Sequence, residues 1–240
     1  RINARVGFET LIFFQFRERI MNYIERTDYL QRLLDLEGTP DIKIITGIRR
    51  SGKSELMKAY LQKIVEIDAN ANIIYIDFFD LSYENLKEYH VLYNYIENHY
   101  DSKKKNYVFI DEVQLCKNFE LVINSLHTSR KYDIYITGSN AFLLSSDLTT
   151  LFTGRYIEIH VFPFSFSEFK RFYADEKDTA KLFDDYILKG GLAGSYEYRT
   201  DKDRVNYIKD VYETIIRRDL VTKYNLQDIT TLEHLAEFMM

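Results

Sequence analysis

Gly47-Ile48-Arg49-Arg50-Ser51-Gly52-Lys53-Ser54 (GIRRSGKS) decides the reading of this chain. It meets the spacing G-x-x-x-x-G-K-[ST] at every fixed position, and each fixed position has a physical reason. The glycines let the backbone curl until successive N–H groups face one anion. A helix predicted over residues 51–67 begins inside the loop and turns its positive dipole end to the same anion. Lys53 brings a point charge to the β- and γ-phosphates of a nucleotide, and Ser54 offers a hydroxyl to Mg²⁺. Glu55 closes the candidate binding segment. Arg49 and Arg50 are further phosphate candidates, although arginines at a loop tip commonly face solvent.

The surroundings of the loop agree with it. Residues 41–46 (DIKIIT) are short, β-branched and bounded by Pro40 and Gly47, which predicts a buried strand. Similar runs recur at 72–79 (NIIYIDFF), 106–110 (NYVFI), 133–137 (DIYIT) and 156–161 (YIEIHV). Helical periodicity separates them at 51–67, 83–99 and 118–129. Five strands alternating with helices predict an α/β three-layer sandwich around a mostly parallel sheet. After Pro163 the pattern becomes helical. Ser165 and Glu168 match a capping box, Gly190-Gly191 marks a break, residues 205–220 carry an apolar stripe, and Thr230 and Glu233 match a second box.

Three segments follow: residues 1–20, 21–163 and 164–240. The first contains an apolar stretch, GFETLIFFQF, flanked by arginines. Glu9 interrupts it and no small-residue cleavage site follows, so it is expected to be an upstream extension rather than a signal peptide. The middle segment is the expected P-loop core. The last is expected to be a helical lid or the start of a truncated second domain.

Bulk properties narrow the function classes. An apolar share of 46% over 240 residues can bury a sizeable core. The 20 Tyr and 17 Phe recur at core-like spacings and read as packing. A net charge of −5 gives no overall reason to expect nucleic-acid binding. The lone Cys116 fits a reducing, cytoplasmic compartment, and the five His show no metal-ligand spacing. No apolar run approaches the roughly 20 residues that span a bilayer.

Ligands in an open parallel sheet sit beyond the C-terminal ends of the strands. Asp111 and Glu112 follow the third predicted strand there. Asp111 would accept from Ser54 or from Mg²⁺-bound water, and Glu112 would orient and polarise an attacking water. The bland alternative for Asp111 is a carboxylate capping the next turn. Asp77 and Asp80 form a rival pair, but Phe78 and Phe79 separate them, and a structural role or a supporting contact at the site edge is expected. If the fourth strand lies between the loop strand and the acidic strand, Ser139 or Asn140 would reach the γ-phosphate or the water. Otherwise they cap a helix. Arg155 could offset transition-state charge on its own γ-phosphate or, as an arginine finger, on a neighbouring chain's. Its alternative is a surface pair with Glu158 or Asp147.

GIRRSGKSELM (47–57), YVFIDEVQ (107–114), ITGSNAFLLS (136–145) and LFTGRYIEIHVFPFSFSEF (151–169) together resemble the AAA+ branch of P-loop ATPases. LKGGLAGSY (188–196) and YETIIRRDL (212–220) continue the resemblance. More narrowly, the chain is similar to bacterial and archaeal AAA ATPases with a C-terminal domain of unknown function. The resemblance implies a strand order 5-1-4-3-2, ATP and Mg²⁺ as ligands, and the stated roles for Lys53, Ser54, Asp111, Glu112 and Asn140. It also implies that residues 23–29 line the adenine and that helices after Phe164 form a lid. The expected function is ATP hydrolysis coupled to a conformational change, with a homo-oligomer and a protein client as expected partners. The alternatives are a nucleotide-gated interaction module with little turnover and a DNA-associated regulator acting through a further C-terminal region. A small-molecule kinase fits Glu112 and the polar strand tip less well.

Overall fold

The computed structural model describes residues 24–139, 150–221, 226 and 228–239. The expectations for residues 1–20 and for Asn140 lie outside them.

Five strands form one sheet: β1 (Ile42–Thr46), β2 (Asn72–Asp77), β3 (Asn106–Asp111), β4 (Asp133–Thr137) and β5 (Tyr156–His160). All neighbours are parallel and the order is β2-β3-β4-β1-β5, which is the expected 5-1-4-3-2 read from the other edge. β1 and β3 are buried along their whole length, which explains why they read as continuous apolar runs. Their side chains alternate between two cores. Ile42, Ile44, Val108 and Ile110 join α3 (Tyr89–Asn98) and α4 (Phe119–Ser129) on one face. Ile45, Tyr107, Phe109 and Tyr135 join α1 (Thr27–Asp35) and α2 (Lys53–Ile67) on the other. These are the three expected layers.

A third, smaller core gathers the aromatics after Pro163. Phe169, Leu182 and Tyr196 are its buried centre, with Phe164, Phe166, Phe172, Tyr173 and Tyr186 packed around them. It joins α5 (Phe166–Phe172) to α6 (Thr179–Lys189). The capping box at Ser165 and Glu168 is present, and Gly190 ends α6 at φ 68°. α7 (Asp201–Thr214) and α8 (Ile229–Met239) complete the chain.

Several boundaries differ from the sequence reading, each for a local reason. β2 stops at Asp77 because that carboxylate accepts from Phe79 N at 2.9 Å and turns the chain. The helix expected over 83–99 is two pieces, a 3-10 helix (Leu81–Lys87) and α3. Asp80 caps the first and Glu88 the second, so each starts independently. The stripe at 205–220 is α7 followed by a π-helical turn (Ile215–Val221). α7 starts earlier than expected, at the Thr200 cap. α8 is capped by Asp228, which accepts from Thr231 N at 2.9 Å, rather than by Thr230. α1 was missed, although Leu30 and Leu33 already mark its buried side. Among the described residues no helix is long and apolar enough to cross a membrane.

Candidate nucleotide site

The loop leaves the C-terminal end of β1 and enters α2. Gly47 (φ 148°) and Gly52 (φ 94°) adopt backbone that L side chains rarely occupy. At Gly47 space forbids a side chain as well, since a Cβ would stand 2.3 Å from Val161 O and 2.8 Å from Ser51 Oγ. Gly52 occupies the N-cap of α2 and offers no side-chain acceptor, so the first amides of the helix are left for another anion.

Lys53 is buried, and its ammonium donates to the carbonyl oxygens of Gly47 and Ile48, both at 3.0 Å. Burial lowers its pKa, and the charges of Glu112 and Asp111 oppose that shift. Glu55 departs from its expected role: it is exposed and pairs outward with Lys58 at 3.2 Å, so its carboxylate is not part of the cradle.

Asp111 ends β3, with Asp77 beside it in register on β2. Its carboxylate is buried and accepts from the hydroxyls of Thr137 and Ser54. Burial raises its pKa despite those two bonds. Glu112 follows in a left-handed conformation (φ 56°), held by its own N–H to Thr137 Oγ1 at 3.0 Å. Non-glycine residues hold such backbone only where their surroundings enforce it, and such positions cluster at functional sites. Gln114 Nε2 donates to the Glu112 carboxylate. Asp77 and Asp80 serve their local turns, as expected.

β4 lies between β1 and β3, so its tip stands between the loop and the acidic pair. Ser139 is buried there, and its Oγ has no hydrogen-bond partner among the described residues. Ser51 Oγ and Arg49 Nε are also buried and unpartnered. Three orphaned polar atoms around one curled loop, with the side-chain oxygens of Ser54 and Asp111 side by side, fit a phosphate chain and its divalent cation.

Arg155 requires a correction. Its carbonyl accepts from Ile42 N at 3.0 Å, at the start of β1. The loop begins at the other end of that strand, five residues and roughly 16 Å away. The exposed Arg155 therefore does not act on its own chain's phosphates.

Sequence reasoning missed Arg26, Thr137 and Gln114. Thr137 lies in the ITGS stretch, at the end of β4 and two residues before Ser139. Arg26 is 5% exposed and links the loop to the lid: it donates to Ser51 O at 3.0 Å and to both Glu168 oxygens at 2.6 and 3.2 Å. Its guanidinium also lies 4.5 Å from the Tyr29 ring centre and 5.2 Å from that of Phe164. Beside it opens a concavity of about 710 Å³ lined by Tyr29, Phe162, Pro163, Phe164, Tyr186 and Gly191.

Burial alone would raise the Glu168 pKa, but the Arg26 hydrogen bonds and the Ser165 cap bring it below the usual carboxylate value. The stabilisation is therefore present above about pH 4.5 and is lost as the pH falls further. Arg26→Ala leaves a buried carboxylate unpaired and is expected to cost about 3–5 kcal/mol. Thermal melts from pH 7 to pH 3 check this. Wild type should lose its advantage over the variant on the acid side, and parallel curves would contradict the linkage.

Comparison with known proteins agrees with this geometry. An uncharacterized protein of Haemophilus influenzae is 33% identical over 221 residues, covering 90% of this chain and 55% of that protein. An uncharacterized protein of Methanocaldococcus jannaschii is 26% identical over 243 residues, covering 93% of this chain and 53% of its own length. The chain thus spans about half the length of the curated relatives it matches. Among solved structures, a Walker-type ATPase of Pyrococcus abyssi superposes with a TM-score of 0.53 at 17% identity, over 82% of this chain and 75% of that one. At that identity the likeness shows a shared fold. A family model described as "AAA domain" matches residues 39–170, from the approach to β1 into α5, and the chain belongs to that family of nucleotide-binding ATPases.

Proposed function

We propose that the loop at 47–54 binds Mg²⁺-ATP, that Glu112 directs water at the γ-phosphate, and that the change passes to the helices after Phe164. The observation that carries this reading is the hydroxyl bridge of Thr137, which ties Asp111 to the Glu112 backbone between loop and acidic pair. Ser54 and Asp111 would hold Mg²⁺, which neutralises phosphate charge when bound. Lys53 exchanges its carbonyl partners for phosphate oxygens. Glu112 accepts the proton of the attacking water, with Gln114 restraining its carboxylate. Ser139 donates its unpartnered hydroxyl towards the phosphates, as expected from the sequence; the matching role for Asn140 rests on that same sequence reading and on the family resemblance. Tyr29 and its concavity are a suitable seat for the adenine, next to Arg26. On this reading residues 21–163 are the catalytic core and residues from 164 onward the lid.

We assign Arg155, exposed and remote from its own loop, to the phosphates of a neighbouring copy. Phosphate release measured against protein concentration tests this. Turnover per chain should rise with concentration, and Arg155→Ala should abolish the rise and reduce turnover at least about 100-fold. A flat rate in both proteins would remove the role in trans. Tight ATP binding with no release at any concentration would favour a nucleotide-gated interaction module instead.

A further inference from the structure

Both arginines of the loop are engaged by one distant segment. Arg49 Nη2 lies 3.5 Å from Asp219 Oδ1, across 170 positions of sequence. The Arg50 guanidinium lies 5.8 Å from the ring centre of Tyr207. Tyr207 is on α7, and Asp219 is on the π-helical turn that prolongs it. Turns of this kind are rare and concentrate at functional sites.

Asp219 is only 3% exposed. Carboxylates are seldom buried to that degree without a charged partner, and here the partner belongs to the nucleotide loop. The pairing is loose at 3.5 Å and leaves the guanidinium unsaturated. Arg49 Nε is buried and has no hydrogen-bond partner among the described residues. A guanidinium carries five N–H donors in a rigid fork, so it can hold two anions at once. Asp219 also lies close enough to the cradle for its charge to act on Lys53. One anion, Asp219, is therefore already in place, and the unused donor is available to a second.

We propose that Asp219 is a positioning residue for the phosphate cradle: it holds Arg49 so that the free Nε–H meets a phosphate oxygen, and thereby makes α7 and the π-helical turn a nucleotide-sensing arm. The inference rests on the reading that nucleotide occupies the loop at 47–54. Linkage gives its second half: if Asp219 raises nucleotide affinity through Arg49, nucleotide tightens the arm by the same factor.

The test is nucleotide affinity of wild type, Asp219→Asn, Arg49→Ala and the double variant, with amide hydrogen exchange of residues 201–221 measured with and without Mg²⁺-ADP. Asp219→Asn should weaken binding about 10-fold, within the usual range of such couplings. In the Arg49→Ala background it should weaken binding no further, because the two act as one unit. Nucleotide should slow exchange across 211–221 in wild type and not in Asp219→Asn. An equal loss in both backgrounds would make Asp219 a purely structural residue and overturn the proposal. So would tighter binding by Asp219→Asn, which would mark it as a repelling charge. If that variant fails to fold, the wild-type exchange decides: no slowing at saturating nucleotide overturns the coupling. Wild-type protein that binds no nucleotide at all would sink this inference together with the reading beneath it.

Discussion

Lys53→Met removes nucleotide binding while leaving the melting temperature near that of wild type. The two effects have separate causes. The ammonium is buried against the Gly47 and Ile48 carbonyls, and burial lowers its pKa. A lowered pKa means that the folded state holds the charged lysine less favourably than the unfolded chain does. Methionine keeps the side-chain volume and removes that penalty, while the two loop carbonyls lose their donor, so the two changes offset each other. The same exchange deletes the charge-assisted hydrogen bonds to the β- and γ-phosphates, together about 3–6 kcal/mol. Affinity should fall at least about 100-fold. Isothermal titration beside a thermal melt reads both quantities. Equal affinity in the two proteins, or a large fall in melting temperature with binding retained, would show that Lys53 serves the fold and not the ligand.

Glu112→Gln should bind ATP within a few-fold of wild type yet release phosphate about 10²–10⁴ times more slowly. The left-handed backbone at this position is set by the N–H bond to Thr137, which the substitution leaves intact. Glutamine also keeps a carbonyl oxygen for Gln114 Nε2. What is lost is the carboxylate that takes a proton from water. A single-turnover experiment separates binding from chemistry, and it should show bound ATP persisting on the variant. Indistinguishable turnover rates above background would remove Glu112 from the role of base.

The loop, the acidic pair and the five strands were legible because each is written in local chemistry. Glycine spacing encodes the backbone curl, and β-branched runs of five or six residues encode strands buried on two faces. Strand order was not readable from periodicity; the family resemblance supplied it, and the parallel registers agree. The contacts that join loop to lid were not legible. Arg26 meets Glu168 across 142 positions, and no local pattern distinguishes that arginine from its exposed neighbours. The capping box around Glu168 was visible, but not that its carboxylate also serves a buried guanidinium. Arg155 misled in one respect: a guanidinium close in sequence to β5 lies at the start of that strand, whereas the loop leaves the far end of β1. The break at Glu88 and the π-helical turn at 215–221 were hidden for a further reason, since an apolar stripe survives both irregularities.

The central claim is that the backbone amides of residues 47–54, with Lys53, form a cage for a triphosphate beside Asp111. A crystal structure with Mg²⁺ and a non-hydrolysable ATP analogue tests it most directly. The account predicts phosphate oxygens on the 47–54 amides, Lys53 Nζ withdrawn from the Gly47 and Ile48 carbonyls onto them, and the cation between Ser54 and Asp111. Phosphates seated elsewhere, with Lys53 still on its two carbonyls, would contradict it.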